Sequence, residues 1–367
     1  MDDSLLWTRR AVMGGGLAML GARAAWSAPP AELIAGTYMQ EGGKGLYPLI
    51  SGESGWAVGE PVSSIVNISF GTREPRSGFH YLIAEGAIGR LGLYDRGLRP
   101  LAERSMPGSG PCHVAISPDR SAVAVANYGS GSILLYPLDR VTGLPGGEGQ
   151  EAQHHGTGPD AQRQTGPHAH WVGFTRDSRW LHSVDLGADS IFAHGYDAST
   201  QKLGEMRIAF RAPAGAGPRH LARHPRLPVC YLVAELANTL TVLAASEDGT
   251  FRQTAVMSTL PQGFAGASQV AHIAPNAAGT RLYVSNRGHD SIAVFALAPD
   301  GAASLIQHVD CGGHWPRFFL LLEDRGELLV ANERSGTVTC LAIAQDGRLR
   351  SIPGSLDVPG VAFLDIR

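Results

Sequence analysis

A pattern that recurs at intervals of about fifty residues restricts the fold of this chain more than any other feature. Each copy begins with an apolar strand such as Pro111–Pro118, passes through a turn, and continues into a second apolar strand that closes on a small residue and a polar one. A third apolar strand then follows. The polar closing residues lie in steps of 42, 58, 50, 51 and 46 and are Glu85, Asn127, Asp185, Glu235, Asn286 and Asn332. Repeats of this length built from short strands are typical of propeller blades.

The repeats predict seven blades. Six units are complete, and a seventh begins at Val358–Leu364, close to the last residue of the sequence. Its missing strands are expected from the N-terminal segments Glu32–Tyr38 and Gly45–Leu49, because an open ring would leave exposed sheet edges. The predicted fold is therefore all-β, a single seven-bladed β-propeller over residues 29–367 whose last blade is closed by strands from both chain ends. Amphipathic helix periodicity is essentially absent.

Residues 1–28 have the features of a twin-arginine-type signal peptide. Arg9 and Arg10 precede a short apolar stretch, residues 11–20, which leads into the small-residue run 21–28. A charged start, a short apolar centre and a small-residue end are typical of secretory signals, and the arginine pair indicates the twin-arginine route. The apolar stretch is too short to span a bilayer. We therefore expect a bacterial protein exported to the periplasm.

Composition excludes several classes of partner. The 30 Lys and Arg residues against 33 Asp and Glu give a net charge of -3. The chain therefore has no excess of positive charge to bind nucleic acid, and it has no polybasic segment to bind a membrane surface. The four cysteines form no CxxC pair, and neither a G-x-S-x-G motif nor a Gly-rich phosphate loop occurs. Three histidines, His168, His170 and His220, lack the spacing of a metal site. We expect a small-molecule ligand and no metal.

Two sets of repeat positions define the predicted site, because the innermost strand of each propeller blade borders the central channel. The first set lies six residues before the turn and comprises Cys112, His170, Arg219, Gln269 and Arg317. The second set is the polar closing position, and Arg287 directly follows one of its members, Asn286. His168 lies two residues before His170, on the same strand face. These positions predict a cluster of His, Arg and Glu side chains at one height.

Such a cluster suits hydrolysis of a cyclic ester. Arg219 and Arg287 are predicted to stabilise the oxyanion that forms when water attacks the carbonyl. Glu235 or His170 is predicted to transfer the proton. The substrate-binding candidates are His168, His220, Arg317 and Asn127. Structural roles are the alternatives: Asn and Asp at repeat positions often bond turn backbone, Arg219 and Glu235 could form a purely structural ion pair, and the pair at 154–155 in the loop 146–166 is expected to be solvated.

Eight short segments occur in an order that is specific when they are taken together: Gly36–Tyr38, Pro111–Asp119, Ala126–Ser132, Pro167–His170, Gly217–His220, Ala234–Leu236, Ser285–Asp290 and Pro316–Phe318. Through them the chain resembles the lactonase family of seven-bladed propellers, typified by one form of 6-phosphogluconolactonase and similar in fold to the carboxy-cis,cis-muconate lactonizing enzyme of fungi. The resemblance implies hydrolysis of a sugar lactone, such as 6-phosphogluconolactone or gluconolactone, to the aldonic acid in glucose metabolism, without a cofactor. It also implies an active site of His170, Arg219, Glu235 and Arg287.

Two other functions stay open at this point. Fold does not fix function, so a non-catalytic propeller that binds a ligand or a protein partner is one alternative. A muconate-type intramolecular lyase is the other, and it would need a carboxylate substrate held by the same arginines. The choice between a phosphorylated and an unphosphorylated lactone also stays open, because an exported enzyme would rarely meet a sugar phosphate.

Overall fold

The computed structural model describes residues 31–367, in which 28 strands form seven four-stranded antiparallel sheets. The predicted signal peptide, residues 1–28, lies outside the described residues. Between residues 31 and 367 the helical elements are two 3₁₀ turns, Met39–Glu41 and Glu323–Arg325. None of the helical segments in that range is long and apolar enough to cross a membrane. The prediction of an all-β, seven-bladed propeller is confirmed.

Each sheet runs from an inner strand at the central channel to an outer strand. The inner strands are β4 (Ile68–Arg73), β8 (Pro111–Ile116), β12 (Ala169–Phe174), β16 (Pro218–Arg223), β20 (Gln269–Pro275), β24 (Pro316–Leu322) and β28 (Val361–Ile366). The second strands are β5 (His80–Ala84), β9 (Ala122–Asn127), β13 (Trp180–Asp185), β17 (Val229–Ala234), β21 (Arg281–Arg287), β25 (Glu327–Asn332) and β1 (Glu32–Thr37). The third strands are β6 (Arg90–Tyr94), β10 (Ser132–Pro137), β14 (Ser190–Asp197), β18 (Thr239–Ala245), β22 (Ser291–Leu297), β26 (Thr337–Ile343) and β2 (Tyr47–Gly52). The outer strands are β7 (Pro100–Ser105), β11 (Gln150–Gln153), β15 (Lys202–Arg211), β19 (Phe251–Ser258), β23 (Ala303–Asp310), β27 (Leu349–Asp357) and β3 (Gly55–Val58).

The ring is closed by the two ends of the described chain. Successive inner strands contact one another from β4 round to β28, and β28 contacts β4 again. In the closing sheet β28 pairs with β1, and Leu33 lies opposite Ile366. The expectation that N-terminal strands complete the last blade is therefore confirmed, and no inner strand is left without neighbours on both sides.

Apolar side chains between adjacent sheets hold the blades together. Every residue of β9 is buried, because a sheet covers each of its faces. Side chains alternate across a strand, so Val123 and Val125 pack toward the sheet of β4–β7 while Ala122, Ala124 and Ala126 pack toward that of β12–β15. Burial of one valine side chain contributes about 1.5–3 kcal/mol, so these small apolar strands account for much of the stability of the ring.

Each inner strand carries a β-bulge near its first residue, and this irregularity positions the candidate site. A bulge inserts residues that the partner strand does not match, and it re-aims their side chains. The residues at the bulge, blade by blade from β4 to β28, are Ser69, Cys112, His170, Arg219, Ala271, Arg317 and Ala362. In β20 Ala271 and His272 together oppose Ser285, so one residue is inserted there as well. From the turn spacing, Gln269 was predicted for this position. That prediction is wrong, because Pro275 is the last residue of β20 and the turn begins only at Asn276, which brings Ala271 to the height of Arg219.

Candidate active site

A second ring of side chains lies beside the bulge residues, directly after the second strand of each blade. In six blades the backbone N–H of this residue donates to the carbonyl of the residue just before the inner strand, over 2.6–3.0 Å. The six residues so held are Tyr38, Glu85, Tyr128, Leu186, Glu235 and Glu333. In the remaining blade Arg287 is held by its ladder pairing with Gln269. For Glu235 the acceptor is Gly217, whose φ of +60° lies in the left-handed region that favours glycine.

This register divides the polar closing positions of the sequence into two groups. Asn127, Asp185 and Asn332 are the last residues of their strands, and Asn286 is the residue before the last of β21. All four lie one residue before the height of Glu235. A shift of one residue turns a side chain to the other face of the sheet. The amide of Asn127 donates to Pro107 O and to Ser132 Oγ, both at 3.3 Å. Those contacts do not bring Asn127, a predicted substrate-binding residue, into the cluster around Glu235.

Three guanidinium groups surround the carboxylate of Glu235. Arg163 Nη2 donates to Oε1 over 2.7 Å, while Arg219 Nε and Arg287 Nη2 lie 2.9 and 2.7 Å from Oε2. Only 3% of the Glu235 side chain is exposed, against 3% for Arg219, 6% for Arg287 and 31% for Arg163. The structure thus brings together three of the four predicted catalytic residues and adds Arg163, which the sequence analysis missed.

Charge and burial act in opposite directions on these groups. Burial alone would favour the neutral acid of Glu235, but Arg287 and Arg219 hold the pKa of this carboxyl well below its usual range. Burial, and then the charge of Arg287, lowers the pKa of Arg219 to about 9. Burial also lowers the pKa of Arg287, and Glu235 opposes that shift. One anion therefore faces three cations, and the cluster carries a surplus of positive charge.

Histidines lie behind Arg219, away from solvent. Arg219 Nη1 is 2.6 Å from the carbonyl of Ala271 and 3.1 Å from His220 Nε2, and His220 Nδ1 is 3.2 Å from Nδ1 of His272. Burial and the charge of Arg219 lower the pKa of both His220 and His170 well below the usual range, so both rings are neutral. The predicted substrate-binding residue His220 is 4% exposed and supports Arg219 from behind.

His168 and His170 both contact the Tyr128 ring. The ring of His168 stacks on that of Tyr128 at 4.4 Å and 14°, and His170 meets it edge-on at 5.4 Å. His168 Nδ1 donates to the carbonyl of Tyr128 over 2.8 Å, because a carbonyl can only accept. This contact leaves Nε2 of a neutral His168 as a proton acceptor. Tyr128 Oη in turn lies 3.2 Å from Arg163 Nη2, which joins the histidines to the arginine cluster.

Arg317 forms a second charged group two blades from Arg219. Its Nη2 donates to Tyr38 Oη over 2.8 Å, and its Nη1 lies 3.3 Å from Glu333. Tyr38 donates in turn to Glu85 over 2.6 Å. The charge of Arg317 also contributes to the lowered pKa values of Arg219 and Arg287. The predicted substrate-binding residue Arg317 therefore shares the electrostatic environment of the cluster.

One histidine in the loop after β11 differs from its predicted environment. His154 was expected to be solvated, but it is fully buried, with Nδ1 2.7 Å from Asp185 Oδ2 and Nε2 2.9 Å from Ser183 Oγ. Its neighbour His155 is exposed, as expected. The sequence missed both the burial of His154 and the site position of Arg163 because the loop has no repeat that fixes its height. The one available signal was the position of Arg163 just before the Pro167–His170 segment.

The side chains of this site are of the kinds that transfer protons and bind anions. Among residues 31–367 there is no group of three or more His, Cys, Asp or Glu side chains arranged to hold a metal ion. Arginine cannot serve as a proton acceptor at ordinary pH, but its planar fork binds carboxylates, phosphates and oxyanions. A buried anion-binding cluster beside a neutral imidazole is an arrangement suited to ester hydrolysis.

Comparison with known proteins agrees with this class of site. The family model described as lactonase, 7-bladed beta-propeller, matches residues 32–365. A 6-phosphogluconolactonase of Bacillus subtilis is 33% identical over 336 residues, which cover 88% of this chain and 95% of that protein. The solved periplasmic gluconolactonase of Pseudomonas aeruginosa is 26% identical, covers 92% of this chain and 99% of its own, and superposes with a TM-score of 0.85. A protein of Lactobacillus plantarum is 26% identical with a TM-score of 0.84, over 92% of this chain and 99% of its own.

The propeller fold and the relatives that share it thus define a hydrolase. More narrowly, the chain belongs to the lactonase family of seven-bladed β-propellers, as the match over residues 32–365 shows.

Proposed function

We propose that the protein hydrolyses a sugar lactone of the gluconolactone type, phosphorylated or not, to the aldonic acid. The observation that carries this proposal is the arginine cluster, in which three guanidinium groups face one buried carboxylate. The tetrahedral intermediate of lactone hydrolysis carries a negative charge on the former carbonyl oxygen. A preorganised surplus of positive charge in a site of low dielectric stabilises that oxyanion more than it stabilises the neutral lactone.

Water activation falls to a histidine in this proposal. Glu235 is a poor proton acceptor, because three arginines engage its oxygens and hold its pKa well below the usual range. His168 has the geometry of a general base, since its Nδ1 is held by a backbone carbonyl and its Nε2 is left as acceptor. His168 would take a proton from water, and the same proton would pass to the alkoxide released from the ring. Glu235 then serves to hold the arginines in place.

The test is base uptake in a pH-stat with fresh glucono-δ-lactone and, separately, 6-phosphogluconolactone, each measured against its spontaneous hydrolysis. We expect a saturable rate enhancement with at least one of them. The variant His168→Gln should lose the enhancement by about 10²–10⁴-fold, while the matched control His155→Gln, which changes an exposed neighbour in the same loop, should retain it. No enhancement over the spontaneous rate with either lactone would refute the proposal. A loss in His170→Gln but not in His168→Gln would move the base to His170.

We also propose that residues 1–28 direct export to the periplasm. The support is the Arg9–Arg10 pair before a short apolar stretch and the likeness to a relative described as periplasmic. Export would bring the enzyme to unphosphorylated lactones. The test replaces both arginines by lysine, which keeps their charge, and compares periplasmic and cytoplasmic fractions. Equal periplasmic amounts of the wild type and the variant would refute twin-arginine export.

A further inference from the structure

The three arginines around Glu235 differ in their exposure to solvent. The side chain of Arg163 is 31% exposed, whereas Arg219 and Arg287 are 3% and 6% exposed. Arg219 Nη1 is also engaged by the Ala271 carbonyl, and Arg287 Nε by the carbonyl of Gln269 at 3.3 Å. By contrast, within residues 31–367 the Nε and Nη1 groups of Arg163 make no hydrogen bond. Arg163 is therefore the guanidinium of the cluster that an incoming molecule can reach.

Arg163 also joins the anion-binding cluster to the histidines. Its Nη2 lies 2.7 Å from Glu235 Oε1 and 3.2 Å from Tyr128 Oη. Tyr128 in turn stacks on the ring of His168. A lactone whose carbonyl oxygen accepts from Arg163 would then lie near the imidazole proposed to activate water.

One buried carboxylate fixes both ends of the loop that carries Arg163. Asp185 Oδ2 holds His154 at the start of the loop over 2.7 Å, and Asp185 Oδ1 accepts from the backbone N–H of His168 at its end over 2.8 Å. His154 is held from its other side by Ser183 Oγ. Asp185, His154 and Ser183 are all fully buried. They have the order of a hydrolytic triad, but with no exposure to solvent they can only position other groups.

The middle of the same loop is also fixed. The fully buried side chain of Gln164 donates to the carbonyl of Leu186 over 2.8 Å. Asp160 Oδ1 accepts from the backbone N–H of Arg163 over 3.0 Å, and Asp160 O accepts from that of Gln164 over 2.8 Å. The backbone on both sides of the Arg163 side chain is thus held in place before substrate arrives, which lowers the entropy that binding must overcome.

We propose that Arg163 is a further catalytic residue of this lactonase, the guanidinium that contacts the lactone carbonyl, and that Asp185 and His154 are positioning residues that hold its loop. The inference rests on the function proposed above. Loss of one oxyanion donor typically lowers turnover by about 10²–10³-fold, and we expect Arg163→Ala to lose kcat/KM in that range. Because Arg163 is partly exposed, the variant should fold, and circular dichroism should confirm this.

The experiment measures kcat/KM for the wild type and Arg163→Ala with and without millimolar guanidinium ion. Guanidinium should restore part of the rate of Arg163→Ala, because the vacated position is open to solvent. The matched control Arg219→Ala should not be restored, since Arg219 is buried. If the wild type hydrolyses the lactone and Arg163→Ala is equally active, this inference alone is overturned. It is also overturned if Arg163→Ala loses activity that guanidinium does not restore. No turnover by the wild type would overturn the proposed function together with it.

A second comparison tests the positioning role. His154→Gln should lower kcat/KM about tenfold, as expected for a coupling through one contact network, whereas His155→Gln should not. If His154 acts through Arg163, the double variant His154→Gln/Arg163→Ala should be no slower than Arg163→Ala alone. Additive losses, or the same loss in His155→Gln, would show that His154 supports the fold only and would overturn this part of the inference.

Discussion

Replacement of Glu235 by glutamine tests whether this carboxylate holds the arginine cluster together. Glutamine keeps the shape of the side chain and removes its charge. Arg219 and Arg287, each more than nine-tenths buried, would then face each other and Arg163 with no counter-ion. Glu235 also opposes the burial and the Arg287 charge that lower the pKa of Arg219, so without Glu235 the charged form of Arg219 is still less favoured. The variant should therefore be less stable than the wild type at neutral pH.

The size of the effect follows from burial. Removing one partner of a buried ion pair costs about 3–5 kcal/mol, because the other charge is left without compensation. Arg163 adds little to this loss, since solvent screens a side chain that is 31% exposed. A chain of this length has an unfolding entropy of about 0.7 kcal/mol/K near its midpoint, so Tm should fall by about 4–7 °C.

Differential scanning calorimetry of the wild type and Glu235→Gln, each with and without phosphate, provides the measurement. An anion that binds only the folded state raises Tm, so phosphate should restore more stability to the variant than it gives the wild type. The matched control is Glu103→Gln, which removes a carboxylate from an exposed ion pair with Arg90 and should change stability by less than about 1 kcal/mol. A variant as stable as the wild type, or one that phosphate does not stabilise, would refute this account of the cluster.

Three further predictions concern pH, ring closure and the thiols. Partial burial and then the Glu333 carboxylate raise the pKa of Glu41 from 4.5 to about 7. The contribution of Glu41 to stability is therefore full below pH 4.5 and is lost as the pH rises through 7. Glu41→Gln should flatten the fall of Tm between pH 5 and 8, and parallel Tm curves for the variant and the wild type would contradict this. Deletion of residues 361–367 removes β28 and should abolish the cooperative unfolding transition seen by near-ultraviolet circular dichroism, whereas removal of Arg367 alone should not. Burial raises the pKa of Cys340, the most exposed thiol, to about 12. A thiol reagent at pH 8 should therefore label less than one cysteine per native chain and all four after unfolding. Rapid labelling of the native protein would contradict the burial of Cys340.

The propeller could be predicted from the sequence because its repeats encode short strands at nearly constant spacing. The spacing also brought Arg219 and Glu235 to one height. It did not separate Asn127 from Tyr128, because the two are adjacent at the end of the same strand and only the bulge opposite them decides which side chain faces the channel. The turn after β20 likewise begins only at Asn276, after Pro275, which puts Ala271 where Gln269 was expected.

Arg163 marks the limit of a prediction based on repeats. It lies in a loop that occurs once, and its position depends on contacts that are distant in sequence. Asp185 contacts the loop from the end of β13, and Leu186 supplies the carbonyl for Gln164. Neither contact follows from spacing or residue type. A polar loop rich in Gly and Gln was therefore taken to be solvated, although Gln164 is one of the most deeply buried polar residues.

The pairing of Leu33 with Ile366 has a consequence for the order of events during synthesis. The strand that β1 needs as its inner neighbour, β28, is the last of the 28 described strands in chain order. Until β28 is synthesised, β1, β2 and β3 have no inner strand to pack beside, while the six other sheets can already form from consecutive segments. Closure of the ring therefore cannot precede the synthesis of β28, in whatever order the other sheets form.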